Sequence, residues 1–485
     1  MSTSKRKAAE LVKKLASKAS KNVVSREALI SEIVAAGSAA VPALIKALEH
    51  EDYAVRTAAA HCLEQIGVKD PATIEALVRT LSDSSKNAQE AAAKALATAG
   101  DLAVPYLLDA LTGPDQSARR WAAEALGAIG DESVAQQLIA RLTDPNLEVQ
   151  RAVVAALGSL RSRKAIMPLV QVLRSDNAEL ARSAAQALGK IKSSIALEPL
   201  AEALTYASED VRAAAARALT EIGKPAVELL KGLLRHSDPV ARRYAAQVLG
   251  EIGDASCAQP LIKALADPSP EVVLQAATAL GKLRSRGAVP HLVKQLNHKE
   301  ASVRCAAAQA LGKIGSGQAI SPLARAARDP DWVVRLSAVK GLADIARPEC
   351  LRHLLAAVDD DEWSVRMHAI RGIASVGRLT PAVERKLCDA LHHWRPNVRR
   401  EAVLALAQLG AVDAIPLIEA LRDDKDEGVR EAVGQALETL RELAARKPAK
   451  ARASTAKSKQ AGRAPAADTR RASRRGAQKT TAKGG

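Results

Sequence analysis

Apolar residues recur at i, i+3, i+4 and i+7 on both sides of a short polar turn. Val41, Leu44, Ile45 and Leu48 precede one such turn, and Val55, Ala59, Cys62, Leu63 and Ile66 follow it. That spacing predicts two successive helices, each with one apolar stripe. The same pattern returns in "AVPYLLDALTGPDQSARRWAAEALGAIG", "AVPHLVKQLNHKEASVRCAAAQALGKIG" and "AIPLIEALRDDKDEGVREAVGQALETL". A landmark position follows each turn, at Arg56, Gln89, Arg119, Gln150, Ala181, Arg212, Arg242, Val273, Arg304, Arg335, Arg366, Arg399 and Arg430. Neighbouring landmarks are 30 or 31 residues apart, with two intervals of 33. Two helices of about ten residues leave apolar faces uncovered unless each pair stacks on the next, so the period predicts a repeat array.

Local signals place the helix ends. Pro42, Pro105, Pro168, Pro199, Pro260, Pro290, Pro322 and Pro416 fall in the first turn of the leading helix, A, where a missing N–H is tolerated. Gly37, Gly67, Gly100, Gly130, Gly223, Gly253, Gly315, Gly377 and Gly410 close the trailing helix, B.

The unit V-P-x-L-I-x-x-L, an acidic turn, then V-R-x-x-A-A-x-A-L-G-x-I-G resembles the short HEAT-like repeat first described in phycobilin lyase subunits, over residues 40–440. The resemblance implies an all-α superhelix of the HEAT or armadillo type, with about thirteen repeats. It also implies that turn acids such as Asp52, Asp115, Asp238, Glu300, Asp331 and Asp361 form a ladder with the landmark Arg residues, tying adjacent turns together. The expected organisation is an N-terminal pair of basic capping helices in residues 1–36, a solenoid in 37–445 and a disordered basic tail in 446–485. Helix A is expected to form the convex layer and helix B the concave one.

Composition narrows the chemistry. The chain has 485 residues, no Phe, four Trp and a net charge of +17. Residues 446–485 carry thirteen Lys or Arg against one acid, Asp468, a net charge of +12. Residues 1–26 carry +7, which leaves the repeat body near neutral. The tail contains no apolar residue larger than Ala, so it lacks the means to bury a core. Its Lys447, Lys450, Arg452, Lys457, Lys459, Arg463, Arg470, Arg471, Arg474 and Arg475 suit a polyanion, nucleic acid first, through counterion release. A solubilising tail is the plainer alternative. Cys62, Cys257, Cys305, Cys350 and Cys388 are odd in number and form no C-x-x-C pair, so a disulfide framework is not expected and a reducing, cytoplasmic setting is. Association with a nucleoid or chromatin fits the tail. No run of eighteen apolar residues predicts a membrane span.

One column beyond the landmark, helix B presents Arg120, Arg151, Arg182 and Arg243, then Leu274, Leu336 and Met367. Spaced by about 10 Å, the distance between packed helices, the Arg residues would suit an acidic peptide or phosphates, and the apolar residues a partner helix. The alternatives are a solvated face paired with local acids and burial against the next repeat. The turn "HHWRPNVRR" contains no acid and offers His392, His393, Trp394, Arg395, Arg399 and Arg400 for an acidic or phosphorylated ligand, or for stacking on a base. Enzymatic readings find less. His50-Glu51 is a lone dipeptide, whereas HEAT-like deoxyhypusine hydroxylases carry several, and His353, His368, His392 and His393 lack carboxylates at ligand spacing. HEAT-like DNA glycosylases and lyase subunits are further alternatives. The expectation is a non-catalytic scaffold that needs no cofactor. Protein partners would sit in its concave groove and a polyanion on its tail.

Overall fold

The computed structural model describes the backbone of residues 3–16, 23–67 and 69–461, and the side chains of residues 5–15, 27–67 and 69–445. All regular structure among these residues is helical, with 28 α-helices linked by turns and single 3-10 turns. The chain divides into two compact units, residues 1–341 and 342–485, and the division falls inside the B helix Trp332–Ile345.

Each repeat forms as the pattern predicts. A 3-10 turn such as Gly100–Leu102 leads into a short A helix such as Val104–Thr112, with Pro105 in its first turn. A polar turn then leads to a B helix of thirteen or fourteen residues, such as Gln116–Ile129. Asp52, Asp115 and Asp238 cap B helices by accepting backbone N–H bonds from Ala54, Ala118 and Val240. All nine glycines expected to end helix B adopt positive φ. Arg161, Lys192, Arg284 and Ala346 do the same without glycine. The core is aliphatic: Leu107, Leu126, Leu157, Leu188, Leu261 and Leu311 are fully buried, among many Ala.

At the N-terminus, Thr3–Ala16 buries Ala8, Val12 and Leu15, while Lys7, Lys13 and Lys14 face solvent. It packs on the next two helices. At the other end, the helix Glu427–Ala461 carries its backbone past Arg446, into the segment expected to be unstructured. The tail side chains, and residues 462–485 with Arg463, Arg470, Arg471, Arg474 and Arg475, lie outside the described residues.

Within the first unit, neighbouring B helices pack along their length, whereas neighbouring A helices meet at only a few points. Glycines of the A-L-G triplets allow the closest of these approaches. A Cβ at Gly127, Gly158 or Gly189 would lie 2.7 to 2.8 Å from the Cα of Ala156, Ala187 or Ala218 on the next B helix. The B layer is therefore the closer-packed one. Gly158→Ala should destabilise the protein by about 1 to 3 kcal/mol through overpacking, even though Ala is the better helix former by about 1 kcal/mol. A denaturant midpoint at or above that of the wild type would show that the helices can move apart freely.

Candidate functional site

Five of the landmark Arg residues are held by the chain itself. Arg56, Arg119, Arg242, Arg304 and Arg399 each make a two-pronged ion pair with an Asp in the turn of the following repeat: Asp83, Asp144, Asp267, Asp329 and Asp424. Their remaining terminal nitrogen donates to two carbonyls of their own turn, as Arg119 does to Gly113 at 3.0 Å and Pro114 at 2.8 Å. The expected ladder therefore exists, but its acids differ from those the sequence suggested. Asp52, Asp115, Asp238 and Asp331 are spent on helix N-termini, and the ladder acids stand six residues before the landmark. Where Gln replaces Arg, Gln89 and Gln150 keep the bond to the turn carbonyl, at 2.5 and 2.6 Å.

Burial works to raise the Asp144 carboxyl, but the bond from Arg119 and the Asn146 N–H override it, so the group titrates below the usual carboxylate range. Asp83 behaves alike, with Arg56 and Ser85 opposing burial. Arg399 is thereby removed from the candidate ligand cluster: Asp424 holds it at 2.6 and 2.8 Å.

At four turns the ladder position holds His in place of Asp. The Nδ1 atoms of His50, His236, His298 and His393 accept the N–H two residues on, at 3.0 to 3.1 Å. A carboxylate oxygen of Asp83 or Asp144 accepts the equivalent N–H. An accepting Nδ1 requires the ring tautomer with hydrogen on Nε2. His50-Glu51 thus shapes a turn. Among the described residues no three His, Cys, Asp or Glu side chains gather as metal ligands.

The column beyond the landmark lines an open groove of about 510 Å³ across the B helices Gln116–Ile129, Leu147–Leu160 and Ala178–Ile191. Its floor is small, with Gly127, Ala128, Ala152, Ala155, Ala156, Ser159 and Ser183. Its walls carry Arg120, Arg151 and Arg182 interleaved with Glu124 and Glu148. The basic stripe is therefore a mixed-charge ladder. Arg120 meets Glu124 at 3.4 Å and Glu148 at 3.9 Å, and lies over the Trp121 ring at 4.7 Å. Arg151 bridges Glu148 at 2.9 Å and Glu179 at 3.6 Å. Arg243 reaches Glu209 at 3.0 Å and covers Tyr244 at 4.4 Å. Among the described residues Arg182 has no carboxylate partner within ion-pair distance. Burial pushes the Glu124 carboxyl up, with Arg120 opposing. Trp121, which the sequence reading passed over, is buried beside the groove and donates its Nε1–H to Gln89 at 2.8 Å.

Leu274 and Leu336 in the first unit and Met367 in the second are half-buried, between the two alternatives raised for them. In the second unit, His392, His393 and Trp394 line a pocket of about 370 Å³ together with Arg366 and Lys386, which the sequence had not joined to them. Trp394 is 70% exposed. Arg395 lies 4.1 Å from its ring centre and 5.9 Å from that of Trp363. Arg400 is exposed and sits apart, beside Gly428. The five cysteines are free, and burial pushes the Cys62 thiol up to about 12, so it carries no ready thiolate.

Stacked two-helix units with Asp–Arg ladders at their turns and an open groove across their B helices define a helical-repeat solenoid. The HEAT repeat model matches in eleven overlapping stretches, from residues 8–97 to residues 384–460. The chain belongs to the HEAT repeat family. That model describes HEAT repeats in general and does not single out the lyase-associated form. No curated protein matches the sequence. Among solved structures, Kap95p with RanGDP is 14% identical at a TM-score of 0.63, covering 91% of this chain and 72% of its own. Yeast importin-beta, Kap95p, is 13% identical at 0.56, covering 91% and 73%. The Kap95:Nup1 complex is 14% identical at 0.59, covering 89% and 70%. At these identities the likeness is one of fold. No helix among the described residues is long and apolar enough to cross a membrane.

Proposed function

We propose that this protein is a non-catalytic scaffold whose inner B-helix groove holds a segment of a partner protein and whose basic tail holds a polyanion. The observation that carries the first part is the groove between Arg120 and Arg182. It is open along its length, floored by small side chains and walled by charges, which suits a laid-in chain better than an enclosed small molecule. Kap95p, bound to RanGDP or Nup1, is a solenoid of the same fold in complex with proteins. Acidic residues of a partner would compete with Glu148 for Arg151 and would meet Arg182 uncompensated. Replacing Arg120, Arg151 and Arg182 together by Glu should lower partner capture at least tenfold with an unchanged circular dichroism spectrum. The measurement is a pull-down with and without nuclease, and unchanged capture would return the groove to a solvated surface.

The tail supports the second part by its +12 over forty residues. If it neutralises about six phosphates of a duplex, log affinity falls against log salt with a slope of about −5. Sequence preference should be weak, because flexible Lys and Arg contact phosphates and not base edges. Deleting residues 446–485 should remove most of this binding and leave the melting curve of the repeats in place. Equal slopes for full-length and truncated protein would remove the tail from the reading.

A further inference from the structure

Two landmark Arg residues break the ladder because the next turn offers His in place of Asp: Arg212 faces the position of His236, and Arg366 that of His393. At Arg212 the guanidinium stays inside, 3.8 Å from Glu209, and its buried Nε has no hydrogen-bond partner. At Arg366 the side chain has turned. Its Nε donates to its own turn, to the Asp360 carbonyl, and the terminal nitrogens are left without an acceptor among the described residues. Arg366 lines the 370 Å³ pocket that also contains His392, His393, Trp394 and Lys386.

We infer that this pocket is a seat for an external carboxylate, supplied by an Asp or Glu side chain of an acidic segment in a partner protein. At Arg56, Arg119, Arg242, Arg304 and Arg399 the fork is filled by a carboxylate of the next turn, and at Arg366 the chain withholds one. The edge formed by the two terminal nitrogens matches a carboxylate in two parallel bonds. His393 adds a second donor. Its Nδ1 is occupied by the Arg395 N–H at 3.1 Å, so the hydrogen of the neutral ring is on Nε2. The ring stays neutral at pH 7, because burial first, and the positive charges of Arg366, Arg399 and Arg395 next, keep its pKa low. Charge at the rim decides between anions. Lys386 is held by Asp359 at 2.6 Å, and Asp389 is a second carboxylate on the wall. The two acids cancel Arg366 and Lys386, so a carboxylate adds one uncompensated negative charge where a phosphate dianion would add two, and the wall favours the smaller charge. Trp394 gives the approaching backbone an exposed flat surface.

The inference rests on the protein-binding reading of the chain, but its test reads the pocket itself and needs no partner. Full-length protein with labelled histidine rings is titrated with acetate, with a short poly-glutamate peptide and with inorganic phosphate, at fixed ionic strength and pH 7. Expected is a saturable shift of the His393 ring with acetate, at least tenfold tighter for the peptide, and weaker or absent with phosphate. Arg366→Gln should remove it. His393→Asp should close the seat from within, restoring a ladder pair to Arg366, raising the melting temperature and abolishing the peptide response. A response to phosphate alone, peptide binding that survives both substitutions, or no shift with any anion would overturn the assignment. None of these outcomes touches capture by the Arg120–Arg182 groove.

Discussion

Arg119→Ala should be among the most damaging single substitutions in the protein, at about 3 to 5 kcal/mol, the range for removing one partner of a buried ion pair. Arg119 and Asp144 retain 11% and 1% of their side-chain exposure. Deleting the guanidinium strands the carboxylate and also frees the carbonyls of Gly113 and Pro114. The effect has a defined pH signature. In the wild type Asp144 is depressed below its unfolded value, so its contribution is complete above that value, about 3.9, and fades as pH falls through the lower folded pKa. In the variant the unpaired carboxyl is raised instead, so its penalty is relieved as pH falls through the higher folded pKa. The gap between the two melting temperatures should therefore be widest near neutrality and narrow steadily toward pH 3. A gap that is small at pH 7, or constant with pH, would mean that packing of the arginine stem is all that was lost. The double variant Arg119→Met with Asp144→Leu should recover much of the loss, because apolar replacement removes both desolvated charges together.

The second large effect is expected at Leu311, a fully buried B-helix residue, or at Leu261, fully buried on the A helix of the preceding repeat. Truncation to Ala should cost about 2 to 5 kcal/mol, as transfer energy lost plus the cavity left behind. The distribution of the loss matters more than its size. Each repeat touches only its neighbours, so stability is a sum over repeats and their interfaces. Hydrogen exchange should accelerate in Ala301–Ile314 and the adjoining helix pairs, while Gln116–Ile129 keeps its protection. Uniform acceleration over the whole chain would contradict additive stacking.

The thirteen landmarks, the first-turn prolines and the nine terminal glycines were enough to fix the helix pairs, because helix period, proline geometry and left-handed closure act within a few residues. Adjacency also settled one rivalry in advance: Arg119 and Arg120 had to diverge, and the first went to the ladder and the second to the groove. What the sequence left open depends on distances between repeats. The ladder acids were misassigned because Asp52 or Asp115 and Asp83 or Asp144 are alike in composition, and only their three-dimensional relation to Arg separates a helix cap from an ion pair. The A-L-G glycines read as ordinary helix residues until the next B helix was seen to lie against them. The basic row became a mixed row because Glu148 reaches Arg120, and Glu179 reaches Arg151, only once neighbouring repeats are stacked. Arg366 was visible as one more landmark. Its open donors became meaningful only when tertiary structure put His393, with its Nδ1 already committed to the backbone, where every regular rung has an Asp.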